Sequence, residues 1–144
     1  MFDTLFASKN KKLAIHWEKD HQAIVVLAHE VIAKYSKNDM TGAKKSLKSL
    51  NNLAVDHLMN EDIEFYKLLK DDKRLTPETI ELVNDFTRTF KDTKLTLMKF
   101  LTKYTKDDIE LDEEFFSTFN TLVAVLADRI NFEEKNLYSL LKEK

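Results

Sequence analysis

The sequence holds no cysteine, a single glycine and a single proline in 144 residues, and each scarcity removes a class of chemistry. Without cysteine there is no disulfide framework, no thiolate zinc site and no cysteine nucleophile, a usage that fits a reducing cytoplasm. One glycine cannot supply a phosphate-cradling loop, a dinucleotide fingerprint or a set of glycine-dependent hairpin turns. Nor can it supply the strand-turn-helix elbow of serine hydrolases, so the serines point to no triad. An excess of one charge is missing as well: 23 Lys and Arg stand against 25 Asp and Glu, a net charge of −2. That balance disfavours nucleic acid and anionic lipid as partners. No apolar run approaches the roughly 20 residues of a membrane span. Residues 1–12 place their apolar side chains ahead of their positive charges, the wrong order for a secretory signal, and read as a short arm laid on the domain by Phe2, Leu5 and Phe6.

What remains is ample apolar and charged material, 43% and 33% of residues, enough for one packed domain with solvated outer faces. Strong helix formers dominate, and apolar residues return every three or four places. The sequence predicts helices over 13–36, from near Thr41 to 70, over 77–104, and from 112 nearly to the end. Thr41 reads as the cap of the second helix. Thr76, Pro77 and Glu78 supply a capping hydroxyl, a proline at the first helical position and an acid in the first turn of the third. Asp112, Glu113 and Glu114 open the fourth. Helices of about 24 to 30 residues, roughly 36 to 45 Å long, joined by short loops pack as an all-α, antiparallel up-down-up-down four-helix bundle over residues 13–144.

Polar residues interrupt three of the four inward stripes. On helix one, His21 stands among Ala14, Trp17, Ile24, Ala28, Val31 and Tyr35. On helix two, His57 and Glu61 stand one turn apart among Leu47, Leu50, Ala54, Phe65 and Leu68. On helix four, Arg129 and Glu133 repeat the spacing among Phe119, Leu122, Leu126, Leu137 and Leu140. Helix three, from Val83 through Phe86, Phe90, Thr93, Leu97 and Leu101 to Tyr104, offers no metal ligand. The interruptions lie at matching depths in an antiparallel bundle and should converge. Two buried carboxylates then need a positive charge between them. Either a metal ion ligated by His21, His57, Glu61 and Glu133 supplies it, or the guanidinium of Arg129 does so in a metal-free polar network. His16 and His29 read as surface residues, Lys44, Lys45 and Lys48 as an outer face, and residues 110–114 as a solvated acidic run without the glycine of a calcium loop. No catalytic residue is assigned, and the pattern reads as a binding protein rather than an enzyme.

His21, the run His57-x-x-x-Glu61-Asp62 and the tail Glu133-Glu134-x-x-Leu137-Tyr138 together resemble the hemerythrin-like, or HHE cation-binding, family, over about residues 13–141. The resemblance implies a four-helix bundle with a non-haem di-iron centre, in which histidines are terminal ligands and carboxylates bridge. It further implies reversible oxygen binding, oxygen or redox sensing, or iron handling. His21, His57 and Glu61 match the pattern of helices one and two, and Glu133 matches the second bridging carboxylate. Two positions depart from it: helix three has no histidine, and Arg129 stands where a second His-x-x-x-Glu would begin. The stretch Arg129-Ile-Asn-Phe-Glu133-Glu134-Lys135 is also similar to one in the regulator of sigma D (Rsd/AlgQ) family, metal-independent bundles that bind a sigma factor. It implies an alternative, a metal-free regulator of a partner protein with Arg129 neutralising both glutamates.

Overall fold

The computed structural model describes the backbone of residues 2–71 and 76–138 and the side chains of 11–64, 66, 67, 70 and 76–138. Four helices account for nearly all of it: α1 (Phe2–Ser36), α2 (Met40–Asp71), α3 (Pro77–Tyr104) and α4 (Glu113–Phe132), the last running on into a π-helical turn, Glu133–Tyr138. No strand occurs among the described residues, as the all-α reading requires, and none of their helices is long and apolar enough to cross a membrane. The backbone of α1 begins before residue 13, in continuity with the segment read as an arm. The expected docking of Phe2, Leu5 and Phe6, like the placement of Phe65, Leu68 and Leu140, lies outside the described side chains.

The breaks fall where turn chemistry puts them. Asn38 takes a φ of 65°, which asparagine tolerates better than most residues. Asp39 then caps α2, its Oδ1 accepting from the Gly42 amide at 2.9 Å, so the cap is Asp39 and not Thr41. A Cβ at residue 42 would stand 2.3 Å from Asp39 Oδ2, and the lone glycine thereby lets the capping carboxylate fold over the first turn. Thr76 accepts from the Thr79 amide at 3.1 Å ahead of Pro77, and Asp112 from the Phe115 amide at 2.8 Å, both at the expected starts. Lys44, expected on an outer face, is partly buried. Its ammonium donates to the carbonyls of Tyr104, Lys106 and Ile109 at 2.7, 2.6 and 2.5 Å. A cation there satisfies carbonyls left open where α3 ends and ties α2 to the α3–α4 connection.

Two apolar clusters divide the interior. The larger joins Ala28 and Val31 late in α1, Ala43 and Leu47 early in α2, Leu101 and Tyr104 late in α3, and Phe115 and Phe119 early in α4. Ends of odd helices thus meet starts of even ones, as an alternating course requires. The smaller cluster gathers Ala14, Trp17, Val83, Phe86, Leu137 and Tyr138 from the opposite ends. On α1, His21 falls between Trp17 of the smaller cluster and Ile24 of the larger, and on α4, Arg129 falls between Leu126 and Phe132; on α2, His57 and Glu61 stand on either side of Leu58 of the larger cluster. Phe115 is fully buried, so Phe115→Ala should cost about 3–5 kcal/mol, whereas Asp112→Ala should cost only about 1 kcal/mol as a lost cap; urea unfolding of the two variants checks the ranking.

Candidate metal centre

All five polar residues singled out from the stripes are buried, with exposures of 2% for His21 and His57, 0% for Glu61, 1% for Glu133 and 5% for Arg129. Helical spacing explains their placement. His21 follows Trp17 by one turn, His57 precedes Glu61 by one, and Arg129 precedes Glu133 by one, so each points where its apolar neighbours point. His16 and His29, on other faces of α1, are exposed.

The five meet. His21 Nε2 lies 3.0 Å from His57 Nε2 and 3.3 Å from Glu133 Oε1, while His57 Nε2 lies 3.0 Å from Glu61 Oε1. The hydroxyl of Tyr138 donates to Glu61 Oε2 at 2.5 Å, and its oxygen is 3.1 Å from His21 Nε2. Arg129 stands further off, its Nη2 3.9 Å from Glu61 Oε1 and its Nε 3.6 Å from Glu133 Oε2, with the guanidinium carbon 5.1 and 5.6 Å from the ring centres of Phe86 and Phe90. From outside, a cleft of about 330 Å³ between α2 and α3, lined by Asp62, Phe86, Thr87, Phe90, Lys91 and Lys94, ends on Arg129.

The outer nitrogens of the two imidazoles decide which atoms face inward. His57 Nδ1 donates to Asp20 Oδ2 at 3.0 Å and His21 Nδ1 to Glu134 Oε1 at 3.1 Å. Ionised carboxylates only accept, so each Nδ1 carries the hydrogen and each Nε2 is left to offer a lone pair to the interior. This is the carboxylate–histidine arrangement that orients metal-ligating imidazoles. Electron pairs therefore outnumber protons in the layer. Glu61 Oε1 and Glu133 Oε2 make no hydrogen bond, and neither does Arg129 Nε, although an unsatisfied buried polar atom costs about 1–3 kcal/mol and more when charged.

The proton balance follows from the same contacts. Burial pushes Glu133 well above the usual carboxylate range, and the adjacent Glu61 adds to the shift against the pull of Arg129. Burial would raise Glu61 too, but contacts from Glu133, His57 and Tyr138 outweigh it and hold Glu61 low. Burial lowers His21, helped by the neighbouring His57. His57 is also pressed down by burial, yet Glu61 and Asp20 against its two nitrogens outweigh that and raise it. Burial and the carboxylates Glu61 and Glu133 push the phenol of Tyr138 upward, so it stays a donor. The surroundings thus shift Glu133 and His57 toward holding a proton and Glu61 and His21 away from it.

Among the described residues, one ligand atom from each of His21, His57, Glu61 and Glu133 lies within 4.8 Å of the other three, a group able to hold a metal ion. The orphaned carboxylate oxygens and the inward Nε2 atoms fit a cation. Over residues 13–141 the sequence matches the family model of the hemerythrin HHE cation-binding domain. The chain belongs to the hemerythrin HHE cation-binding family. No curated protein and no solved structure matches it.

Within this HHE domain the structure adds three residues that periodicity left out. Asp20 and Glu134 reach the outer imidazole nitrogens; adjacency to His21 is the one signal for Asp20, whereas Glu134, like Tyr138, stands in the tail that carries the family resemblance but on no inward stripe. Tyr138 follows Glu133 by five positions, which in an α-helix would turn it about 140° away. The π turn brings it back, and stripe counting at a fixed period could not find it. Asp62, adjacent to Glu61, instead pairs with Lys94 outside the cluster.

An ion held by these residues would compete with protons for Glu133 and His57, both shifted upward, so divalent-metal affinity should rise with pH. Calorimetric titration in buffers of different ionisation enthalpy checks this through the protons released, and Asp20→Asn should weaken binding about 10- to 100-fold.

Proposed function

We propose that this HHE domain binds a single non-haem divalent metal ion, iron in the cell, through His21 Nε2, His57 Nε2, Glu61 Oε1 and Glu133 Oε1. The observation that carries the reading is the pair of Nε2 atoms 3.0 Å apart, each with its outer nitrogen donating to a carboxylate. Two lone pairs aimed at each other are repulsive unless a proton or a cation lies between them. Two imidazoles and two carboxylates suit Fe, Mn or Zn better than calcium, which takes about six to eight oxygens. When bound, iron supplies a Lewis-acidic and redox-active centre.

The second oxygens of both carboxylates support one ion rather than two. Glu61 Oε2 is engaged by Tyr138, and Glu133 Oε2 faces the guanidinium of Arg129. A bridging role would need those oxygens, and a second cation would stand against a side chain that cannot lose its charge. One divalent ion already matches the charge of both glutamates, and Arg129 adds a further positive charge that opposes a second ion.

A dioxygen-binding role draws less support from the packing. The recess beside Arg129, lined by Leu58, Thr93, Lys94, Leu97, Leu122 and Leu126, is about 10 Å³, about the least that holds one water. Ion binding linked to the packing of α1, α2 and the π turn is the activity the interior favours, with occupancy itself as the state to be sensed or stored. The metal-free regulator draws less support, because Arg129, which that reading sets against both glutamates, makes no hydrogen bond through its Nε.

Anaerobic loading with Fe(II), desalting and metal analysis test the reading. About one iron per chain is expected, with near-complete loss in His57→Ala. Stoichiometry below about a tenth would overturn metal binding, and a value near two would overturn the single-ion centre.

A further inference from the structure

Tyr138 is fully buried, and its hydroxyl reaches two of the four proposed ligands. It donates to Glu61 Oε2 at 2.5 Å, a short bond of the charge-assisted kind, and its oxygen lies 3.1 Å from His21 Nε2. The ring has little freedom. It stacks on His21 at 5.3 Å and 17° and lies 5.4 Å from Trp17 at 38°. Its backbone ends the π turn that begins at Glu133, and such turns within helices gather at functional sites. Glu133 and Tyr138, five residues apart, both reach the cluster through this one widened turn.

A free carboxylate can chelate an ion through both oxygens. One whose Oε2 is held in a short hydrogen bond presents only Oε1. Resting on the reading of this cluster as a metal centre, we propose that Tyr138 is a positioning residue that restricts Glu61 to one-oxygen ligation and thereby sets the coordination number of the bound ion. The role assigned to the phenol is hydrogen bonding to Glu61 Oε2 and not ligation. Glu133 has no comparable donor on its second oxygen, where Arg129 Nε stands at 3.6 Å without a hydrogen bond. The two carboxylates are thus inequivalent, with Glu61 the fixed one.

Cobalt(II) loading of the full chain tests this, because the visible bands of cobalt weaken as its coordination number rises. Tyr138→Phe keeps the ring and removes the donor. The variant should still bind about one Co(II) per chain, with affinity lowered about 10- to 100-fold and weaker visible bands than wild type as Glu61 begins to chelate. Unchanged bands and affinity in Tyr138→Phe, with losses appearing only in Tyr138→Leu, would make the residue a packing group and overturn the proposal. A visible phenolate-to-iron band in the ferric wild type that Tyr138→Phe removes would make it a ligand and overturn the proposal equally. The infrared difference between Zn(II)-loaded and metal-free wild type needs no variant. A widely separated pair of carboxylate stretches supports one-oxygen ligation, and only narrowly separated, chelate-type pairs contradict it. A wild type that takes up no Co(II) would overturn the metal centre itself, an outcome distinct from a metal-binding wild type matched by Tyr138→Phe.

Discussion

The packing of α1, α2 and α4 depends on one electrostatic constraint: two carboxylates and two imidazoles share an interior layer from which water is excluded. Charges in such a setting cost several kcal/mol each unless they are compensated. The compensation visible in the protein is incomplete. Tyr138 donates once, Arg129 contributes charge from beyond hydrogen-bonding distance, and two carboxylate oxygens remain without partners. A layer built this way has a place for a cation. The apolar clusters on either side, one around Phe115 and Phe119 and one around Trp17 and Phe86, supply the hydrophobic burial that holds it together.

The layer is graded from the centre outward. Nε2 atoms and carboxylate oxygens face inward, Asp20 and Glu134 grip the imidazoles from outside, and these two acids are partly open to solvent. Charge is thereby spread from a dry centre to a wet rim, where it costs least. Arg129 closes the remaining side, its guanidinium against Phe86 and Phe90 at the inner end of the cleft between α2 and α3. The side chain that faces both glutamates thus also lines that cleft.

Much of this was legible from periodicity. The four helices, the caps at Thr76 and Asp112, and the convergence of His21, His57, Glu61, Arg129 and Glu133 follow from regular α-helical spacing, and the chain keeps that spacing up to Phe132. What escaped had causes that a fixed period does not contain. Tyr138 enters through a change of helical type, Asp20 and Glu134 through reach between neighbouring helices, and Lys44 through a long flexible stem that carries its charge to another helix's end. The cap of α2 was misplaced onto Thr41 because Asp39 uses the missing Cβ of Gly42 to fold back, a contact that residue type alone does not reveal.

Anomalous diffraction from crystals of the iron-loaded protein, collected at the iron absorption edge, tests the central claim most directly. The account predicts one peak per chain, bounded by His21 Nε2, His57 Nε2, Glu61 and Glu133, with Arg129 still between Glu133 and the cleft. Two peaks bridged by the glutamates, or iron found only on the outer surface while the buried cluster holds none, would contradict it.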